Sequence, residues 1–164
     1  MNISLDLDGV ICQWQHLEKV DRTLENYDRF PPIEGAREGI RELDTWKNDL
    51  HLITARHYRG AFNHVYDWLY RNGFNEANML QVVGIPTPEK WRVMQALEID
   101  VHVDDNIRAF TKVPVEVTPI FFIGDHNKYQ LNTEVISVSI LERIRIVSSW
   151  PELVAKIKEI NYGR

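Results

Sequence analysis

Short apolar runs alternate along this chain with longer stretches in which apolar residues recur every three or four positions. Ile3–Leu7, Leu50–Thr54, Met79–Val83, Asp100–Val103, Val117–Ile123 and Arg145–Val147 are short enough, and apolar enough, to predict buried strands. Between them lie helical patterns. Gly35–Trp46 places Ala36, Ile40 and Leu43 at helical spacing, and Ala61–Arg71 puts Phe62, Val65, Trp68 and Leu69 on one stripe before an Asn72-Gly73 stop. Thr87-Pro88 reads as an N-cap followed by proline at the first helical position, with a helix to about Leu97. Ser149-Trp150-Pro151-Glu152 opens a final helix to about Ile160. Strands separated by helices of this length predict parallel βαβ units, hence an α/β fold with a doubly wound parallel sheet. Such sheets bind ligands outside the carboxyl ends of their strands, where the strand order reverses.

Two segments break the rhythm. Ile11–Pro32 separates the first strand from the first helix, and a small cap or lid insertion is expected at about 11–32. Gly124–Leu141 starts polar, and a β-excursion is expected at Val135–Ile140. No repeat, low-complexity tract or linker divides the chain, so residues 1–164 are expected to form a single domain.

Composition narrows the function classes. A net charge of −5 and a pI near 5.7 argue against an extended nucleic-acid tract, though not against a nucleotide in a local basic pocket. Cys12 is the single cysteine, so no intramolecular disulfide is possible. With no secretory signal pattern and a first strand close to Met1, the expectation is a cytoplasmic protein. No apolar run approaches the roughly 20 residues that span a membrane, so no membrane partner is expected.

The candidate chemistry gathers at the carboxyl ends of the predicted strands. Asp6 and Asp8 follow the first, Thr54 closes the second, and Asp104 and Asp105 follow the fourth. Lys90 lies at the start of the helix leading into the fourth strand. Neighbouring carboxylates repel one another unless a hard divalent cation relieves them, and Mg2+ would also screen the approach of an anionic phosphate. A carboxylate can attack phosphorus, dividing one difficult hydrolysis into two steps. A lysine, a threonine hydroxyl and backbone N–H groups suit the oxygens of a transferring phosphoryl group.

The motifs DLDGV (Asp6–Val10), ITAR (Ile53–Arg56), Lys90 and HVDDN (His102–Asn106) resemble, in order, the four motifs of the haloacid-dehalogenase-like (HAD) superfamily. The resemblance implies a Rossmann-like HAD core and a phosphatase. Asp6 would be the nucleophile and a metal ligand. Asp8 would be the general acid/base, lending its carbonyl to the metal. Thr54 and Lys90 would bind phosphate, and Asp104 would ligate Mg2+, with Asp105 helping through water or by orienting Lys90. Aspartate at position 8 favours phosphatases over transport and dehalogenase members. DLDGVICQW, Lys90-Trp91, VDDN and SSWPEL also look like 5′(3′)-deoxyribonucleotidases, which implies a small phosphorylated substrate, a nucleotide; those enzymes usually carry a sizeable helical cap, whereas here only Ile11–Phe30 could form one. The runner-up, suggested by the small cap but opposed by the acidic composition, is a polynucleotide 3′-phosphatase, and a non-catalytic phosphate-binding module is the rival of another class.

Several residues carry weaker readings. Arg56, His57 and Arg59 are candidates for gripping a leaving group or second phosphate, although a solvated loop reads equally well. Trp14 and His16 could stack on a base or simply pack. Trp46, Trp68 and Trp91 read as core or core edge, and Cys12 as a small apolar filler. His126 and Asn127 are candidates for substrate contact, in a stretch (124–131) that could cover the site. The six histidines show no zinc-ligand spacing.

Overall fold

The computed structural model describes residues 1–13, 30–56, 61–74, 79–124, 127, 128, 130 and 136–163. Among these, β1 (Asn2–Leu5), β2 (Asp49–Thr54), β3 (Met79–Gly84), β4 (Val101–Asp104), β5 (Thr118–Phe122) and β6 (Arg145–Val147) form one sheet, parallel throughout. The helices are α1 (Ala36–Thr45), α2 (Ala61–Arg71), α3 (Lys90–Ala96), α4 (Val138–Leu141) and α5 (Trp150–Tyr162), with 3-10 turns at Thr87–Glu89 and Ile107–Phe110. Across the sheet the order is β3-β2-β1-β4-β5-β6. The chain winds outward from β1 one way and outward from β4 the other, so the order reverses between these two strands. The expected doubly wound α/β architecture is therefore present, with its crevice at the β1/β4 switch.

Period-2 alternation sends the two faces of the sheet into two apolar layers. Ile3, Leu5, Val101 and Val103 join α1 and α5 residues such as Ile40, Leu43, Trp150 and Leu153 in one. Ile53 and Phe121 face the other, with Met94 of α3, Phe110 and Ile144. Burial on both faces explains why β1, β2, β4 and β5 read as nearly continuous apolar runs, whereas edge strand β6, expected to be buried, leaves Arg145 and Ile146 exposed. The α1 stripe is buried as its spacing predicts, and on α2 Val65, Trp68 and Leu69 are buried. The start of α5 also follows expectation. The Ser149 side chain accepts from Glu152 N–H at 3.4 Å, and the Glu152 carboxylate accepts from Ser148 N–H at 2.8 Å.

Two local expectations are corrected. Thr87 does not cap α3: a 3-10 turn covers Thr87–Glu89, with Pro86 in the cap position and Glu89 N–H bonded to Pro86 C=O at 2.8 Å. Two prolines fix φ at consecutive alternate positions, so the tight turn forms first and the α-helix begins only at Lys90. The β-excursion at Val135–Ile140 is not seen where the chain is described, since Val138–Leu141 is helical. Ile136, Ile140 and Ile144 recur every four residues and turn toward the α3-side layer, whereas Val138 is exposed.

The expected cap at 11–32 falls mostly on residues outside the described ones. Its two ends are described and are held together. Gln13 N–H donates to Pro31 C=O at 2.9 Å and Ile33 N–H to Ile11 C=O at 2.8 Å, while Trp68 Nε1 donates to Phe30 C=O at 2.9 Å. The intervening chain thus leaves and returns at one point beside the carboxyl end of β1. No helix among the described residues is long and apolar enough to cross a membrane.

Candidate active site

β1 ends at Leu5, and the chain leaves the sheet in a tight turn. Ile11 and Cys12 N–H both donate to Leu7 C=O, at 2.9 and 2.8 Å, and Gly9 takes φ 81°. Glycine is required there twice over. The left-handed backbone disfavours side chains, and a Cβ would run into the Asp105 carboxylate. Asp6 stays tied to the sheet through its N–H, which donates to Val103 C=O at 2.9 Å. Its carboxylate therefore stands at the β1/β4 switch, beside Asp104 at the end of β4.

Lys90 joins these two acids. As the first residue of α3 it is fully buried, and its Nζ lies 2.6 Å from Asp104 Oδ2 and 2.9 Å from Asp6 Oδ1. The first contact is a hydrogen bond; the second is an ion pair in which Asp6 Oδ1 has no aligned donor. Burial opposes the lysine's charge, yet Asp104 and Asp6 outweigh it and hold Lys90 above the ordinary lysine value. Asp104 is also buried, but Lys90 and His102 more than offset the desolvation and hold its carboxyl below the usual value. Asp6 goes the other way. Desolvation dominates, Lys90 counters it only in part, and Asp104, Asp105 and Asp8 add repulsion, so its pKa stands well above 3.8.

An acid that resists ionisation among other acids is what a bound cation would relieve. Oxygen atoms of Asp6, Asp104 and Asp105 lie within 4.8 Å of one another, a hard-oxygen donor set suited to Mg2+. Asp105 was expected to act through water or to orient Lys90. Its carboxylate converges with the other two, while Lys90 contacts Asp104 and Asp6. Asp105 does not cap the following 3-10 turn, because Asn106 does so by accepting from Arg108 N–H at 3.1 Å.

Asp8 sits at the rim, its carboxylate gripped by Arg56. Arg56 Nε donates to Oδ2 at 3.0 Å and one terminal nitrogen to Oδ1 at 2.5 Å. Arg56, nearly buried, thus engages the acid rather than open solvent, a bidentate geometry that lysine could not copy. Thr54, at the end of β2, is fully buried and its Oγ1 accepts from Arg56 N–H at 3.2 Å, which leaves its own O–H to donate. His57, Arg59, Trp14, His16 and His126 lie outside the described residues.

Asn127 is not turned toward a substrate. It is fully buried, donating to the C=O groups of Asp105 (2.7 Å) and Phe122 (2.9 Å) and accepting from Gly124 N–H (2.7 Å). Together with Gln130, which accepts from Ile107 N–H at 2.9 Å, it fastens the segment after β5 to the acidic loop. Cys12 is buried, and burial pushes its thiol up to about 12, as suits an inert filler. Trp68 is core and stacks on Phe74, while Trp46 packs at the core edge.

Two residues that sequence reasoning did not single out contact the site from below. His102 Nε2 lies 3.2 Å from Asp104 Oδ2, and its Nδ1 lies 2.8 Å from Ser4 Oγ. A polar residue at the centre of each of two apolar strands was the available signal.

No protein-family model matches the chain, and a search of curated proteins finds no match either. Solved structures do. A D,D-heptose 1,7-bisphosphate phosphatase from B. bronchiseptica, complexed with magnesium and phosphate, aligns over 97% of this chain and 99% of its own, with TM-score 0.69 and 13% identity. A HAD family hydrolase from Deinococcus radiodurans R1, with bound phosphate and sodium, aligns over 96% of this chain and 95% of its own, with TM-score 0.61 and 16% identity. A haloacid dehalogenase-like family hydrolase from Xanthomonas campestris covers 98% and 96%, with TM-score 0.62 and 10% identity. At such identities the likeness is one of fold: the chain has the Rossmann-like α/β fold of HAD hydrolases.

Proposed function

We propose that this chain is a HAD-type phosphatase that hydrolyses a phosphomonoester through an aspartyl-phosphate on Asp6, with Mg2+ as cofactor. The observation that carries this reading is the convergence of Asp6, Asp104, Asp105 and Lys90 at the β1/β4 switch. Neighbours of the same fold that were solved with phosphate and a metal ion support it. Asp6, Asp104 and Asp105 would hold Mg2+, with the Asp8 carbonyl joining them as the HAD resemblance implies. The bound cation would neutralise the acids and polarise phosphoryl oxygens.

The chain's own groups account for both half-reactions. Lys90 and Thr54 bind the phosphoryl oxygens. A carboxylate oxygen of Asp6 attacks phosphorus, the bond to the ester oxygen breaks, and Asp8 delivers a proton to the departing alkoxide. Asp8 then takes a proton from water. That water attacks phosphorus, the Asp6 acyl-phosphate bond breaks, and inorganic phosphate leaves. To act as the acid Asp8 must take up a proton and turn away from Arg56, which donates to both of its oxygens in this structure.

The substrate we favour is a nucleoside monophosphate, on the likeness of DLDGVICQW, Lys90-Trp91, VDDN and SSWPEL to deoxyribonucleotidases. The chain acts as a single domain with a small cap within 11–32. Phosphate release would be measured on nucleoside 5′- and 3′-monophosphates, sugar phosphates and a 3′-phosphorylated oligonucleotide, each with Mg2+ and with EDTA. Asp6→Asn is expected to abolish turnover while folding normally. Metal-dependent release confined to the oligonucleotide would replace the nucleotide with a polynucleotide end. Full activity in Asp6→Asn would overturn the mechanism, and no release from any substrate would favour a phosphate-binding module.

A further inference from the structure

β1 and β4 each carry one polar side chain in the middle of an apolar strand, and the sheet register makes them partners: Ser4 lies opposite His102. Alternation puts Ser4, His102, Asp6 and Asp104 on one face of the sheet. Ser4 and His102 are both fully buried. A pair of apolar residues would fill this position without any polar group to satisfy. The histidine instead spans 2.8 Å to Ser4 Oγ on one side and 3.2 Å to Asp104 Oδ2 on the other.

The hydrogen-bond inventory sets each role. An ionised carboxylate only accepts, so His102 Nε2 carries the hydrogen and donates to Asp104. Nδ1 is then bare and accepts from the Ser4 hydroxyl, which fixes the tautomer. Asp104 Oδ2 receives both His102 and Lys90, the latter at 2.6 Å, whereas Oδ1 receives Asn106 N–H at 2.8 Å. Oδ2 is thus filled by two donors, and Oδ1 keeps a lone pair for the cluster with Asp6 and Asp105. The chain Ser4–His102–Asp104 resembles a hydrolytic triad only on paper, since Ser4 is sealed in the sheet and reaches no substrate.

We propose that Ser4 and His102 form a buried positioning relay that holds the Asp104 carboxylate in its cation-binding orientation. The proposal rests on the reading of Asp104 as a Mg2+ ligand. Residues behind a metal ligand commonly govern affinity about 10- to 100-fold. His102→Leu is therefore expected to weaken Mg2+ binding by about that factor. His102→Gln, whose amide N–H can still donate to Asp104, should recover most of the loss. Ser4→Ala should weaken binding less, and Ser4→Ala/His102→Leu no more than His102→Leu alone, because the serine acts only through the histidine.

The test is calorimetric Mg2+ titration of the intact protein and these variants, alongside 15N NMR of the His102 ring in the metal-free protein. A single Nε2–H tautomer in the wild type that becomes mixed in Ser4→Ala supports the relay. A mere packing role would leave the tautomer unmoved and make the two substitutions additive. Unchanged Mg2+ affinity in His102→Leu would sink the relay alone, whereas a wild type that binds no Mg2+ removes the metal reading and the relay with it. If His102→Leu does not fold, Ser4→Ala decides: unchanged tautomer and affinity overturn the proposal.

Discussion

At Gly9 one Cα atom serves both the turn and the acid cluster. Its φ of 81° costs a side-chain-bearing residue about 1–2 kcal/mol. The missing Cβ also leaves room for the Asp105 carboxylate. Gly9→Ala is accordingly expected to lower the melting temperature and to weaken Mg2+ binding about tenfold or more by displacing Asp105. Thermal melts and Mg2+ titration of the same preparation separate the effects. A lower melting point with undiminished affinity would mean that Asp105 does not depend on that close approach. Arg56 teaches a related lesson. Its place after Thr54 was legible in the ITAR motif, but its partner was not, because Asp8 is 48 residues away and only the sheet order brings them together.

Among the elements, α1 and α5 brace the loop that carries the acids. Gly39 faces the Trp150 ring, and Trp150 Nε1 donates to Val10 C=O at 2.8 Å, immediately behind Gly9. Alanine normally favours a helix interior over glycine by up to about 1 kcal/mol. Here a Cβ at position 39 would overlap a tryptophan ring that is fully buried and cannot swing away. Overpacking of this kind typically costs about 1–3 kcal/mol. Gly39→Ala should therefore lower the urea midpoint and, by shifting Trp150 against Val10, reduce turnover. A midpoint equal to or above that of the wild type would show that the helices slide apart at little cost. The segment 136–144 makes the complementary point. A β-excursion was expected across its start, yet Val138–Leu141 is helical, and Ile136, Ile140 and Ile144 join the α3-side layer.

For the molecule as a whole, the acid cluster places function against stability. Asp6 keeps its proton to a higher pH in the native state than in the unfolded chain. Native stability is therefore lost as pH rises above about 3.8 toward the raised native value, and the cost is complete beyond it. Asp104 has the opposite sign. Its depressed pKa contributes stability above 3.8, which is lost as pH falls through the native value. In the metal-free protein Asp6 should thus detract from stability at neutral pH relative to mildly acidic pH, whereas buried His51 and His102, held below the usual imidazole value, act in the opposite sense. Asp6→Asn should melt above the wild type at pH 7, and saturating Mg2+ should narrow that gap by stabilising the wild type. Differential scanning calorimetry across pH, with EDTA or Mg2+, checks this. Parallel pH curves for the two proteins without metal would refute it.

The chain's local patterns determined the order of its strands and main helices, the parallel doubly wound class, the placement of Asp6, Asp8, Thr54 and Asp104 near strand ends, and that of Lys90 near a helix start. Those features depend on spacings of two to four residues, caps and turn formers, all readable within one segment. The tertiary structure decided which distant groups meet. Strand order and register set Ser4 against His102 across 98 residues and Trp150 against Val10 across 140. They also brought Lys90 between two acids and Asp105 beside Asp6 and Asp104. No local period carries that information, because a side chain's partner depends on which strand lies beside its own and in what register.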